Sequence, residues 1–123
     1  MPENTKMTLI EAEQYCWLVS EIALCKQRLE ATACEAAQWA ENAEVTAALS
    51  EYRQTLQANI SALERKCERF ENWLAGVSDP QIQHWIYLRC VDGLRWSDIG
   101  LETGMKPATV RKALYRFFER EAA

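Results

Sequence analysis

Residues 97–114 read SDIGLETGMKPATVRKAL. Two glycines, a proline and three basic residues stand together here, with Arg95 just before them, whereas residues 8–75 hold no glycine and no proline. Gly104 can supply the positive backbone dihedral of a tight turn. Pro107 disrupts a helix interior but starts a helix well. The spacing predicts a short helix over about 97–103, a turn at Gly104-Met105, and a helix from Pro107 to about Glu121. Two helices joined by a short turn containing glycine form the helix-turn-helix arrangement. Gly100 falls where two such helices cross closely, and Ile99, Met105, Val110 and Ala113 fall where the packed faces must be apolar.

In this arrangement the second helix enters the DNA major groove and its first turns reach base edges. Val110, Ala113, Leu114 and Phe117 form its inward face. Lys106, Ala108, Thr109, Arg111, Lys112, Tyr115 and Arg116 remain on or near the outward face, and with Arg95 they are the candidate DNA-binding residues. Arg and Lys can bond guanine edges, and Thr and Ala methyls can meet thymine. Arg95, Arg116 and Arg120 are better placed for phosphates, which orient without specifying. A solvated basic helix explains Arg116 and Arg120 as well, because cations favour the C-terminal end of the dipole. It does not explain Lys106, at the opposite end, or the glycine spacing.

The net charge of -4 hides an asymmetry. Residues 1–78 hold 7 basic against 12 acidic residues, and residues 79–123 hold 7 against 6. Within 106–120 five basic residues face only Glu119. Local fields, not the isoelectric point, steer a charged partner.

Thr8-Leu9-Ile10-Glu11 has the form of a capping box. Beyond it, apolar residues recur at helical steps: Tyr15, Leu18, Ile22, Cys25, Leu29, then Val45, Leu49, Tyr52, Leu56, Ile60, Leu63, Cys67, Phe70, Leu74. One rod over 8–75 and an antiparallel, coiled-coil-like hairpin both fit. The stripe weakens between Leu29 and Val45, which favours a hairpin with its turn near 36–44, where Asn42 tolerates a left-handed helix end. Ile10, Trp17 and Leu24 form a second partial stripe, open to a dimer contact or to the C-terminal unit. Gly76 ends this region. Asp79 then reads as a helix N-cap and Pro80 as the first helical position of a helix to about Val91. That helix is expected to bury Ile82, Trp85, Ile86 and part of Leu88, and Asp92-Gly93 breaks it. Trp96 joins Trp85 in the expected core. His84 is expected on the surface, and Arg89 is expected to pair with an acidic side chain such as Asp98.

The expectation is an all-α chain: a helical hairpin over 1–78, serving oligomerisation or partner contact, and a helix-turn-helix domain over 79–123. The start, MPENTKMTLI, lacks a basic region followed by an apolar run, and no stretch reaches the roughly 18 apolar residues of a membrane span. A cytoplasmic protein without membrane attachment is expected. The five cysteines are expected to be reduced and mostly buried. With one histidine and no CxxC pair, neither a metal nor another cofactor is expected. No carboxylate pair, activated nucleophile or phosphate-binding glycine loop points to an enzyme.

The stretch IYLRCVDGLRWSDIGLETGMKPATVRKALYRF, 86–117, resembles the region-4 helix-turn-helix of sigma-70-type factors. The resemblance rests on Leu88, Arg89, Cys90, Val91, Asp92, Gly93, Trp96, Ile99, Gly100, Gly104, Thr109 and Val110. With its helical first half, the whole layout is similar to small phage-encoded transcriptional regulators of the RinA and ArpU kind. Three features depart from the family pattern. Gly100 stands where Ala is usual, Cys90 where Tyr is common, and Lys106-Pro107 where a Ser-led cap is usual. The resemblance implies a phage or prophage regulator in a bacterial host that binds double-stranded DNA and helps or replaces a contact to RNA polymerase; a homodimer formed through the helical half is expected. Lacking the other sigma regions, it is not expected to direct polymerase to a promoter alone. Two other functions fit the residues: a phage small terminase-type packaging subunit, and an adaptor that docks on RNA polymerase without binding DNA.

Overall fold

The computed structural model describes residues 6–122; the first five residues of the start read above for a leader lie outside them. The fold is all-α, and no strand occurs among the described residues. Helix α1 spans Leu9–Glu13, α2 Tyr15–Gln38, α3 Ala43–Ala75, α4 Pro80–Ile86, α5 Trp96–Thr103 and α6 Pro107–Ala122. A π-helical turn, Tyr87–Val91, continues α4. No helix is long and apolar enough to cross a membrane.

The described chain divides into two compact units, Leu18–Cys67 and residues 6–17 together with 68–122. This division differs from the expected boundary near residue 78. The N-terminal helix and the last turns of α3 belong with the C-terminal helices.

In the Leu18–Cys67 unit, Cys25, Leu56 and Ile60 are buried against Ile22 and Leu29. Lys26 and Glu64 form an exposed ion pair at 3.5 Å, which adds little stability. The turn lies over 39–42, within the span where the apolar stripe weakens. Asn42 does not adopt the left-handed conformation expected of it, since no described residue other than glycine has positive φ. Its side chain instead caps α3, with Oδ1 accepting from the Val45 amide at 3.1 Å. Thr46 Oγ1 donates to the Trp39 carbonyl at 3.1 Å and closes the turn from the other side.

In the second unit, Thr8 caps α1, its Oγ1 accepting from the Glu11 amide at 3.1 Å. The Glu11 carboxylate accepts from Arg69 Nε at 2.9 Å. The continuous helix expected from residue 8 is interrupted at Gln14. Asp79 caps α4 through the amides of Gln81 and Ile82, and Pro80 is the first helical residue. The core gathers Met7, Phe70, Ile82, Trp85, Ile86, Leu88, Cys90, Ile99, Val110, Leu114 and Phe118. Leu88 is buried outright, beyond the partial burial expected, and His84 is exposed as expected.

Cys16, Cys25, Cys34, Cys67 and Cys90 form no disulfide; three are buried, Cys16 is half-buried and Cys34 is exposed. Burial, reinforced by the charge of Glu13, pushes the Cys90 thiol up to about 12 from 9.0. The unfolded chain therefore loses this proton near pH 9, while the folded chain keeps it to about pH 12. Between those values the unfolded state binds fewer protons, so stability falls as pH rises, by at most ~1.4 kcal/mol per pH unit for this group. Urea unfolding at pH 8 and pH 10.5 is expected to show a larger loss for the wild type than for Cys90→Ala. Equal losses would contradict this assignment.

Candidate nucleic-acid interface

The candidate site is built on α5, the turn after it, and α6. Thr103 Oγ1 donates to the Ile99 carbonyl at 2.7 Å and accepts from the Met105 amide at 3.2 Å. Gly104 ends α5 in the left-handed conformation, φ 72° and ψ 13°, and its amide donates to the Gly100 carbonyl at 2.9 Å. A Cβ on Gly104 would meet nothing within 4 Å, so a substitution there is opposed by backbone conformation alone. We expect Gly104→Ala to cost about 1–2 kcal/mol, Gly104→Asn less, and Gly104→Val more. Thermal melts of the three variants test this order, and an unchanged melting temperature for Gly104→Val would exclude it.

The chain resumes at Lys106, whose carbonyl accepts from the amides of Thr109 and Val110. Pro107 is therefore the first residue of α6, where its missing amide hydrogen is not needed. Val110 and Leu114 are fully buried, followed by Phe118 one turn on, with Ala113 and Phe117 packed beside them. Steps of four hold this face to the core. Phe118 thus extends the inward face by a turn that the sequence reading omitted. Met105, expected on an apolar packed face, is exposed instead.

Lys106, Ala108, Thr109, Arg111, Lys112, Tyr115 and Arg116 are all exposed. Helical periodicity sets Ala108, Lys112, Tyr115 and Arg116 opposite the buried face, with Thr109 and Arg111 on its flanks. Glu119 falls on the same outward side and closes the cationic surface after the third turn. Lys26, Arg69, Arg89 and Arg95 each form an ion pair. Lys106, Arg111, Lys112 and Arg116 enter none of them. Four cations thus face solvent outside any ion pair, which suits steering and contact with a polyanion.

Arg95 stands apart from this set. It lies before α5, and its Nε donates to Asp98 Oδ2 at 3.2 Å from a largely exposed position. Asp98 is therefore taken by Arg95, not by Arg89 as expected. Arg89 pairs with Glu13, Nε to Oε2 at 2.8 Å, and donates from Nη1 to the Leu94 carbonyl at 3.0 Å. Its guanidinium lies 4.2 Å from the centroid of Trp96. Trp96 is only half-buried, and its ring meets Tyr115 edge-on, centroids 6.4 Å apart and planes at 82°. Trp96, assigned to the core by the sequence, is thus a neighbour of the outward face of α6. Glu13 lies 76 residues before Arg89, so no local pattern could signal this arrangement.

Among the described residues no group of histidine, cysteine and acidic side chains could hold a metal ion. Comparison with family models, with curated proteins and with solved structures found no match for the chain.

Proposed function

We propose that the protein is a sequence-specific double-stranded DNA-binding regulator of transcription that reads the major groove with α6. The observation that carries the reading is the outward face of α6. Its first two turns present unpaired Arg111 and Lys112 beside Thr109 and Ala108, while Val110 and Leu114 anchor the helix from behind. Arg111 and Lys112 match guanine edges, and the methyls of Ala108 and Thr109 match thymine. Arg116 and Arg120 are suited to phosphates and would fix the register. Lys106 supports the same reading, since a cation at the start of a helix is unfavourable to the helix and gains from a phosphate. The resemblance to sigma region 4 adds RNA polymerase as a protein partner, and the helical half of the chain adds a second copy of the chain. In this reading the protein is a regulator, not an enzyme, and needs no cofactor.

Selection from a random-sequence duplex pool tests the reading. We expect enrichment of a site with guanine and thymine at adjacent positions. Arg111→Ala should relax the preference at a guanine, at a cost of about 1–3 kcal/mol in discrimination. A pool that stays random after repeated rounds would overturn sequence-specific reading.

A further inference from the structure

Tyr115 differs from the other exposed residues of α6 in being held. Its ring stands edge-on to Trp96, with centroids 6.4 Å apart. Trp96 is itself held, because the Arg89 guanidinium covers its ring at 4.2 Å. Arg89 cannot drift from that position easily. Glu13 accepts from its Nε at 2.8 Å and the Leu94 carbonyl accepts from its Nη1 at 3.0 Å. A continuous line of contacts therefore runs from α1 to the outward face of α6: carboxylate, guanidinium, indole, phenol.

The end of this line is a hydroxyl. Tyr115 is 48% exposed, and its hydroxyl has no hydrogen-bond partner among the described residues. A phenol fixed by its ring, with a free donor at the edge of a cationic face, is suited to an acceptor oxygen of a phosphate. About half to two-thirds of protein–DNA hydrogen bonds go to the phosphate and sugar, tyrosine hydroxyls are among their donors, and these contacts set register. Tyr115 sits one turn after Arg111 on the same helix, so a phosphate bound there would fix how deeply Arg111 and Lys112 enter the groove. Arg89, although a cation near this surface, is already neutralised by Glu13 and turned onto the indole.

Resting on the reading of α6 as a DNA-binding helix, we propose that Tyr115 donates a hydrogen bond from its hydroxyl to one DNA backbone phosphate. Trp96 and Arg89 act as positioning residues that hold the phenol in place for it. Binding then loses less conformational freedom at Tyr115 than at the longer side chains of Lys112 and Arg116 beside it.

The test measures duplex affinity by fluorescence anisotropy for the full chain, Tyr115→Phe, Arg89→Lys and the double variant Arg89→Lys/Tyr115→Phe. Tyr115→Phe keeps the ring contact and removes only the hydroxyl. It should bind about tenfold more weakly, as expected for a lost hydrogen bond to a charged group. Arg89→Lys keeps the charge beside Glu13 and removes the planar cover of Trp96, so it should also weaken binding. The double variant should bind no worse than Tyr115→Phe, because nothing remains to be positioned. A purely structural effect of Arg89 would instead persist in full when Tyr115 is Phe, and that result would overturn the positioning role. A scan of single methylphosphonates along the duplex completes the test. One neutralised phosphate should weaken the wild type and leave Tyr115→Phe unchanged. Wild-type affinity in Tyr115→Phe, or no such phosphate, would overturn the contact. Absence of any duplex binding by the wild type would overturn the DNA reading itself.

Discussion

Gly100→Ala is expected to destabilise the unit that carries α5 and α6, by about 1–3 kcal/mol. A Cβ on this buried glycine would lie 2.8 Å from Pro107 Cγ, 3.0 Å from Pro107 Cδ and 2.9 Å from the Met105 carbonyl oxygen. One of these neighbours is backbone and another is a closed ring, so neither can swing away cheaply. The gain in helix propensity from Gly to Ala, roughly 0.5–1 kcal/mol, opposes this cost without cancelling it. Pro107→Ala removes the ring and should be mild alone. The double variant Gly100→Ala/Pro107→Ala should then be less destabilised than the sum of the two, by at least about 0.5 kcal/mol. Urea unfolding of the three variants measures the cycle. Strict additivity, or a Gly100→Ala chain as stable as the wild type, would show that the helices do not pack this closely.

This contact joins Gly100 on α5 to Pro107, the first residue of α6. Proline at the start of α6 occupies the space an alanine methyl would take on α5. Gly100 and Pro107 form one packing solution.

The elements of the C-terminal part were legible because their signals are local. Asp79-Pro80, Gly104 and Pro107 each impose or permit one backbone conformation, and each sits where the structure uses it. The outward face of α6 followed from the inward set Val110, Ala113, Leu114 and Phe117, all of them buried or packed on the core. What could not be read is tertiary. The π-helical turn Tyr87–Val91 contains no glycine or proline to mark it, yet the Asp92 amide reaches back to the Tyr87 carbonyl at 3.0 Å. Arg89 chose Glu13 over Asp98, since α1 packs with the C-terminal helices and Arg95 is closer to Asp98 in sequence. Asn42 was a fair signal for a helix boundary but was assigned to the wrong side of it, because asparagine serves both as a left-handed end and as an N-cap.

The second large effect is expected at the reader helix. Arg111→Ala combined with Lys112→Ala should weaken duplex binding by two orders of magnitude or about that, if each side chain contributes about 1–3 kcal/mol. Both residues are exposed and enter no ion pair among the described residues, so the melting temperature should stay close to the wild type. Loss of binding in a chain that still folds separates a reading helix from a merely solvated one.

The most direct measurement of the central claim is duplex DNA binding by fluorescence anisotropy over a series of salt concentrations, wild type beside this double variant. The account predicts wild-type affinity that falls linearly with the logarithm of salt, and a double variant that binds far more weakly with a shallower slope by about 1–2. No binding by the wild type at low salt, or equal affinity and slope in the two proteins, would contradict it.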